Sequence, residues 1–324
     1  MDEREENNLS SQDWLRLKEL RARFLSEEVI SGIDYWDSID LLRLYHKTFA
    51  QRIGWKWNAV LNTLTRDFTQ AASSGLTLFD FGCGTGIAAE KFLEHFQTEG
   101  IDEVWLWDRS FRAAEFAQQR LQARFPSLSF KTPNPGEIPQ GKWALILSHV
   151  LTELDSHRLK TLKQYLIQAD ILIWVEPGTP FSSERLIEIR EELKVNKQIV
   201  GPCLHQEACG MKDPKNSQNW CHFFGHPPEH VFRSSFWNRF GREMKIDLRS
   251  LPVSYLICKN KKDQANPIEG CSRIIGRPRF SKGMGKFLLC NSEGVFETRL
   301  LERENKELVK SFREHLHFAS KLTK

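Results

Sequence analysis

No apolar run in the 324-residue chain approaches the ~20 residues a membrane-spanning helix needs, so no membrane span is expected. The N-terminus, MDEREENNLSSQDW, is acidic. It has neither the apolar core of an export signal nor the arginine-rich, acid-poor character of a transit peptide, so a cytoplasmic, bacterial protein is the expectation. Closely spaced cysteine pairs are absent as well. The seven cysteines are an odd number, and without an export signal that argues against a disulfide framework and for reduced thiols, metal ligation or both. There is no internal repeat and no low-complexity tract. Charge of one sign is not in large excess either: net +4 with a pI near 8.6 does not by itself demand a nucleic-acid partner.

What is present fits a globular chain able to bury a substantial core, with 40% hydrophobic and 27% charged residues. The positive surplus gathers near the C-terminus. From Lys261 to Lys324 there are fourteen Lys or Arg against eight Asp or Glu, a segment that reads either as a solvated basic face or as an RNA-binding surface.

Four segments follow from patterning. Residues 1–70 carry helical periodicity, as in Leu15, Leu17, Leu20 and Phe24 or Leu41, Leu42, Leu44 and Tyr45. The first ten residues are expected to fray. Residues 71–200 alternate short apolar runs with helical stretches, the signature of a parallel sheet covered by helices. Its strands are Leu76–Phe81, Val104–Trp107, Trp143–Leu147 and Ile171–Val175; its helices are 88–96, 111–125, 157–168 and 183–193. Residues 201–260 hold a Cys-, His- and Pro-rich insert and a last core strand. Residues 261–324 form a basic region with short strands and a helix from Glu302.

The segment LTLFDFGCGTG runs a strand into Asp80, Gly82, Cys83, Gly84, Thr85 and Gly86, with a helix following at once. Side chains there would keep a cofactor from the backbone, hence the glycines, and Asp108 ends the next strand, placed to accept ribose hydroxyls. The D-x-G-x-G-x-G pattern resembles the first motif of class I S-adenosylmethionine methyltransferases, whereas a dinucleotide fingerprint lacks that Asp. In such folds the ligand's reacting end lies beyond the carboxyl ends of the strands. Ser148 and His149 would therefore face the methyl group. His149 reads either as a general base or as a hydrogen-bonded structural group. The Asn-Pro-Pro-aromatic tetrad of exocyclic base-nitrogen methylating enzymes is absent. Glu176 reads as a substrate contact or a turn cap.

Cys203, Cys209 and Cys221, with five and then eleven residues between them, lie in a segment poor in aliphatic residues, and Cys290 follows after sixty-eight more. Four thiolates suit tetrahedral zinc or an iron–sulfur cluster. Cys258 and Cys271 are rivals for the fourth place, and His205 and His222 could replace a thiolate.

Cys203-Leu-His-Gln206, Trp220-Cys-His-Phe223, ILIWVEPGTP, ILSHVLTEL and LLCNSEG together resemble the methyltransferase-like family associated with the mitochondrial small ribosomal subunit, which has bacterial members. The resemblance implies a class I methyltransferase Rossmann-like sheet with N-terminal helices and a metal-bound C-terminal extension containing short strands. It further implies bound S-adenosylmethionine held by Asp80, Gly82, Gly84, Gly86, Asp108 and Ser148. A [4Fe–4S] cluster would sit on Cys203, Cys209, Cys221 and Cys290, and the protein would act on or help assemble the small subunit. Gly210 stands where that family usually has Pro. Methyl transfer to ribosomal RNA and a non-catalytic assembly role both remain open. A radical enzyme is disfavoured, because C-x3-C-x2-C is missing. Phosphate contacts are expected from Arg273, Arg277, Arg279, Lys282 and Lys286, as is a monomeric state off the ribosome. Trp220 and Phe223 read either as base-stacking side chains or, the better reading, as buried against the cluster.

Overall fold

The computed structural model describes residues 9–25, 36–65, 68–69, 75–154, 156–261, 270–314, 318 and 320–323; the first eight residues, expected to fray, lie outside this set. The chain divides into two compact units that are not contiguous in sequence: Met1–Asp155 with His226–Leu251, and Ser156–Gly225 with Pro252–Lys324.

In the first unit, three α-helices among the described residues precede the sheet: α1 (Ser11–Leu25), α2 (Ile39–Lys47) and α3 (Phe49–Leu61). A capping box starts α1, in which Asp13 accepts from the Ser10 backbone N–H at 2.9 Å and the Asp13 N–H donates to Ser10 Oγ at 3.2 Å. Ser38 caps α2 by accepting from Leu41 N–H. Strands β1 (Leu76–Phe81), β2 (Ile101–Trp107), β3 (Ser129–Lys131) and β4 (Lys142–Ser148) alternate with α4 (Ile87–Phe96) and α5 (Phe111–Arg124). They pair in parallel in the order 3-2-1-4, the start of the doubly wound order. Phe81, Trp107 and Leu147 lie in one row. Gly82, Asp108 and Ser148 therefore emerge side by side at the strands' carboxyl ends.

Two helices not anticipated from the sequence, numbered by place in the chain as α8 (His230–Arg233) and α9 (Ser235–Glu243), return to this unit. Phe236, Trp237 and Phe240 of α9 pack with Trp14 and Leu17 of α1, Leu44 of α2 and Trp55 of α3.

The second unit contains α6 (Ser156–Gln168), β5 (Ile171–Pro177), α7 (Pro180–Leu193), β6 (Lys197–Gly201), β7 (Phe223–Gly225) and most of β8 (Leu251–Asn260). β8 runs antiparallel to both β5 and β6, and β7 also pairs with it. Helix α7 begins three residues before the expected Ser183, because Thr179 caps it and Pro180 occupies its first turn. A separate antiparallel sheet has the order β11-β10-β9-β12. Its strands are β9 (Cys271–Ser281), β10 (Met284–Asn291), β11 (Gly294–Leu301) and β12 (Lys321–Thr323). Helix α10 (Lys306–Glu314) starts later than Glu302, which lies in a turn. Ile274, Phe287 and Leu289 form the apolar side of this sheet.

No helix among the described residues is long and apolar enough to cross a membrane.

Candidate cofactor loop and cysteine site

The three loop glycines are required for three different reasons. At Gly82, φ is +76° and a Cβ would lie 2.6 Å from Val150 Cγ1. At Gly86 a Cβ would press on Leu121 and Ala117 of α5, at 3.0 and 3.1 Å, so this glycine lets the loop close on the helix. At Gly84, φ is +52° and nothing lies within 4 Å of the position a Cβ would take. Only there does the backbone border open space, which is what a ligand lying against the loop requires.

Carboxylates hold this conformation. Asp108 accepts from Gly84 N–H and from Ser110 N–H, both at 2.8 Å. Burial pushes its pKa up to about 6 against those two hydrogen bonds. Each oxygen keeps a lone pair for a ribose hydroxyl. Asp80 is fully buried, and its Oδ2 accepts from Ala89 N–H at 3.2 Å, in the first turn of α4. Gly86, the N-cap of that helix, has no side chain to do this. Asp80 Oδ1 is buried without a hydrogen-bond partner among the described residues. Burial pushes the Asp80 pKa up to about 7. Asp80 thus acts within the loop's support.

Arg120 and His46, which the sequence did not single out, also brace the loop. Arg120 donates to Thr85 O at 3.1 and 3.0 Å and to Gly86 O at 3.1 Å, and it pairs with the buried Glu90. His46 bonds Thr85 Oγ1 at 3.2 Å, and burial, with Arg120 nearby, lowers its pKa to about 3, so the ring is neutral. The signal was faint: an Arg three turns along a helix gives no hint of reaching a loop over thirty residues earlier.

At the end of β4, Ser148 Oγ accepts the indole N–H of the fully buried Trp57 at 2.9 Å. His149 adopts φ +56°. Its Nε2 is buried without a hydrogen-bond partner among the described residues. Burial, then Lys56 and Arg52, push its pKa well below the usual histidine value, so the imidazole is neutral. Such a group can accept a proton only weakly.

In the second unit, Glu176 is fully buried in β5 and accepts the Trp174 indole N–H at 2.7 Å. The cysteine segment is fixed by its neighbours. Arg190 of α7 donates to Cys203 Sγ at 3.3 Å and to His205 O at 3.2 Å. Glu191 accepts from Cys209 N–H at 3.1 Å. Ser183 accepts from Cys221 N–H at 2.8 Å, and Ser254 donates to Cys221 O at 2.7 Å. Gly210 answers the question posed by the missing Pro. A Cβ there would sit 2.6 Å from Val295 N, so the loop lies directly on β11, and Asn216 donates to Gly210 O at 2.9 Å.

Cys203, Cys209 and Cys290 each act electrostatically on Cys221. Burial, with Cys203 next, pushes Cys209 up, and the same two causes push Cys290 up to about 12. Yet no group of three or more His, Cys, Asp or Glu among the described residues meets single-ion geometry. The two facts differ in range: an ion needs every sulfur at ~2.3 Å, whereas charges interact over several ångströms. Of the rivals, Cys258 is fully buried in β8 between Leu172 and Ile199, and Cys271 stands opposite Thr323 in the separate sheet. His205 Nε2 lies 3.6 Å from Cys290 Sγ, whereas His222 bonds Trp220 O.

The expected phosphate contacts divide. Arg273 is buried and donates to Pro202 O at 2.9 Å, so it supports the cysteine loop and is withdrawn from that set. Phe223 is likewise buried, against Tyr255 and Phe318, and offers no face to a base.

The parallel 3-2-1-4 order, with a glycine loop on its first strand and a carboxylate at the end of its second, defines a class I methyltransferase Rossmann-like α/β fold. Over residues 48–316 the sequence matches the family described as mitochondrial small ribosomal subunit Rsm22, and the chain belongs to it. No curated protein matches. Several solved structures are similar at low identity. Magnesium protoporphyrin IX methyltransferase from Synechocystis, with bound SAM, is 13% identical over 79% of this chain and 100% of that one, with a TM-score of 0.40. The plantazolicin methyltransferase BamL, solved with SAH, is 11% identical over 78% of this chain and 100% of that one, with a TM-score of 0.43.

Proposed function

We propose that this chain is an S-adenosylmethionine-binding, methyltransferase-like protein that carries a [4Fe–4S] cluster and acts on, or assembles, the small ribosomal subunit through its RNA. The observation that carries the cofactor reading is the open space at Gly84, bordered by a backbone that Asp108 and Arg120 hold in place. When bound, the cofactor would supply an electrophilic methyl group. Gly84 would admit it, Gly82 and Gly86 would give the loop the shape that lets it lie there, Asp108 would take its ribose hydroxyls, and Asp80 would support the loop from beneath.

Cys203, Cys209, Cys221 and Cys290 would hold the cluster. Four soft thiols are the ligand set an iron–sulfur cube takes, Cys203, Cys209 and Cys290 all act electrostatically on Cys221, and the choice of the cube over zinc rests on the family resemblance. Placed on the cysteine segment and on β10, these ligands would join two parts of the second unit, so the group would be structural.

The end of β4 favours the non-catalytic version. The Ser148 hydroxyl is oriented by the hydrogen bond it accepts from Trp57, and His149 is buried and neutral, a weak base. Purified protein tested with labelled S-adenosylmethionine and naked or subunit-bound small-subunit RNA separates the two. Cofactor binding and subunit association without methyl incorporation fit the assembly role. Incorporation lost in His149→Asn would show catalysis. Absence of cofactor binding and of subunit association would remove the proposal.

A further inference from the structure

The register of the separate sheet sorts its residues into rows. On one face, Arg273, Cys290 and Val295 form a row, Ile275, Leu288 and Glu297 the next, and Arg279, Lys286 and Arg299 the third. Directly opposed like charges destabilise a sheet, yet the third row sets three cations abreast on adjacent strands. Glu297 is the carboxylate beside them, bonding Arg279 at 2.9 Å and Lys286 at 2.5 Å. Arg277 and Arg299 are exposed, and so is Lys282 at the β9–β10 turn.

A bulge joins this row to an aromatic ladder. Between Ile275 and Arg279, three residues of β9 stand opposite Phe287 alone. Gly276 makes the bend with φ +64°, and a Cβ there would lie 3.1 Å from His222. The bulge re-aims Arg277, whose guanidinium lies 4.1 Å over the Phe224 ring. Phe224 meets His222 edge-on at 5.2 Å, and His222 stacks on Trp220 at 4.6 Å and 17°. Trp220, His222 and Phe224 alternate along the chain with the buried Phe223 and are themselves half-buried.

Resting on the RNA reading above, we propose that this face, with Trp220, Phe224 and Arg277 beside the Arg279–Lys286–Arg299 row, is a binding surface for single-stranded RNA. Unpaired bases would extend the aromatic ladder, and successive phosphates would lie along the cations. The ladder offers no hydrogen-bonding code for base edges, so the surface would select unpaired backbone over sequence. Glu297 offsets one charge of the three-cation row, and a polyanion lying along it would neutralise the remainder.

The test uses the full chain, a labelled twelve-nucleotide oligouridylate, a duplex RNA of the same length and purified small subunits. The single strand is expected to bind more tightly than the duplex. Its affinity should fall with salt, at about 0.7 log units per log unit of salt for each phosphate neutralised. Arg279→Gln combined with Arg299→Gln should lower that slope by about 1.4, and Phe224→Ala should weaken binding about ten-fold with the slope kept. Because Phe224→Ala could loosen the fold, Arg277→Gln serves as the second ladder variant, with circular dichroism as the control. Equal single-strand and duplex affinity, or an unchanged slope in the double variant, overturns the proposal. If subunits still co-sediment in those cases, the ribosomal reading stands and only this face is wrong; if neither subunits nor RNA bind, both fall.

Discussion

Trp57 donates its indole N–H to the Ser148 hydroxyl across 2.9 Å, tying α3 to the carboxyl end of β4. Trp57 is fully buried, so Ser148→Ala leaves a donor with no acceptor. The expected cost is about 1–3 kcal/mol in a urea titration. An unchanged midpoint would mean that water reaches the indole and that the contact does not hold the helix.

Two glycines two residues apart should respond in opposite ways. Gly84→Ala meets no atom within 4 Å and bears mainly the left-handed φ, about 1–2 kcal/mol. Its methyl group would project into the open space, so calorimetry should show lost S-adenosylmethionine binding on a folded protein. Gly82→Ala drives into Val150 at 2.6 Å and should lower thermal stability more than Gly84→Ala. Normal cofactor affinity in Gly84→Ala would place the ligand elsewhere.

Asp80 makes the cofactor-free protein sensitive to pH. Its folded pKa, pushed up to about 7 by burial, lies above the model-peptide value of 3.8. The folded state therefore binds the proton more tightly. Asp80's contribution is full below pH ~4 and is lost as pH rises towards about 7, on the order of 4 kcal/mol at ~1.4 kcal/mol per unit. Asp80→Asn should shrink the stability difference between pH 5 and pH 8 measured by denaturant unfolding. A difference as large as in the parent would show that Asp80 is hydrated in solution.

Cysteine variants distinguish the cluster ligands from their rivals. In anaerobically purified protein, Cys209→Ser should lose the absorption near ~400 nm and about four irons per chain. Cys258→Ser puts a hydroxyl into the fully buried middle of β8. It should lower stability and leave iron content unchanged. Iron loss in Cys258→Ser with retention in Cys209→Ser would reassign the site.

The β1 bounds, Leu76–Phe81, agree with the sequence reading because a strand that ends in a glycine turn is marked at both ends. β2 begins three residues earlier than expected, since Asp102 and Glu103 interrupt its apolar run while the backbone pairs on regardless. Helix α9 escaped notice because its helical spacing is carried by Phe236, Trp237 and Phe240 inside a Cys- and Pro-rich stretch that reads as loop. The loop glycines were legible as a group. Their separate duties were not, since those depend on Val150, Leu121 and empty space. Arg273 shows the converse: composition counts a cation the same whether it meets solvent or, as here, a buried carbonyl.

The first unit closes only when distant parts of the chain meet. Trp14 and Leu17 pack against Phe236, Trp237 and Phe240, more than two hundred residues further on. During synthesis at about 5–20 residues per second, the α9 part of this cluster follows α1 by about 10–45 s. Throughout that interval the part of α1 that α9 covers is exposed apolar surface, and deleting α9 would leave it exposed.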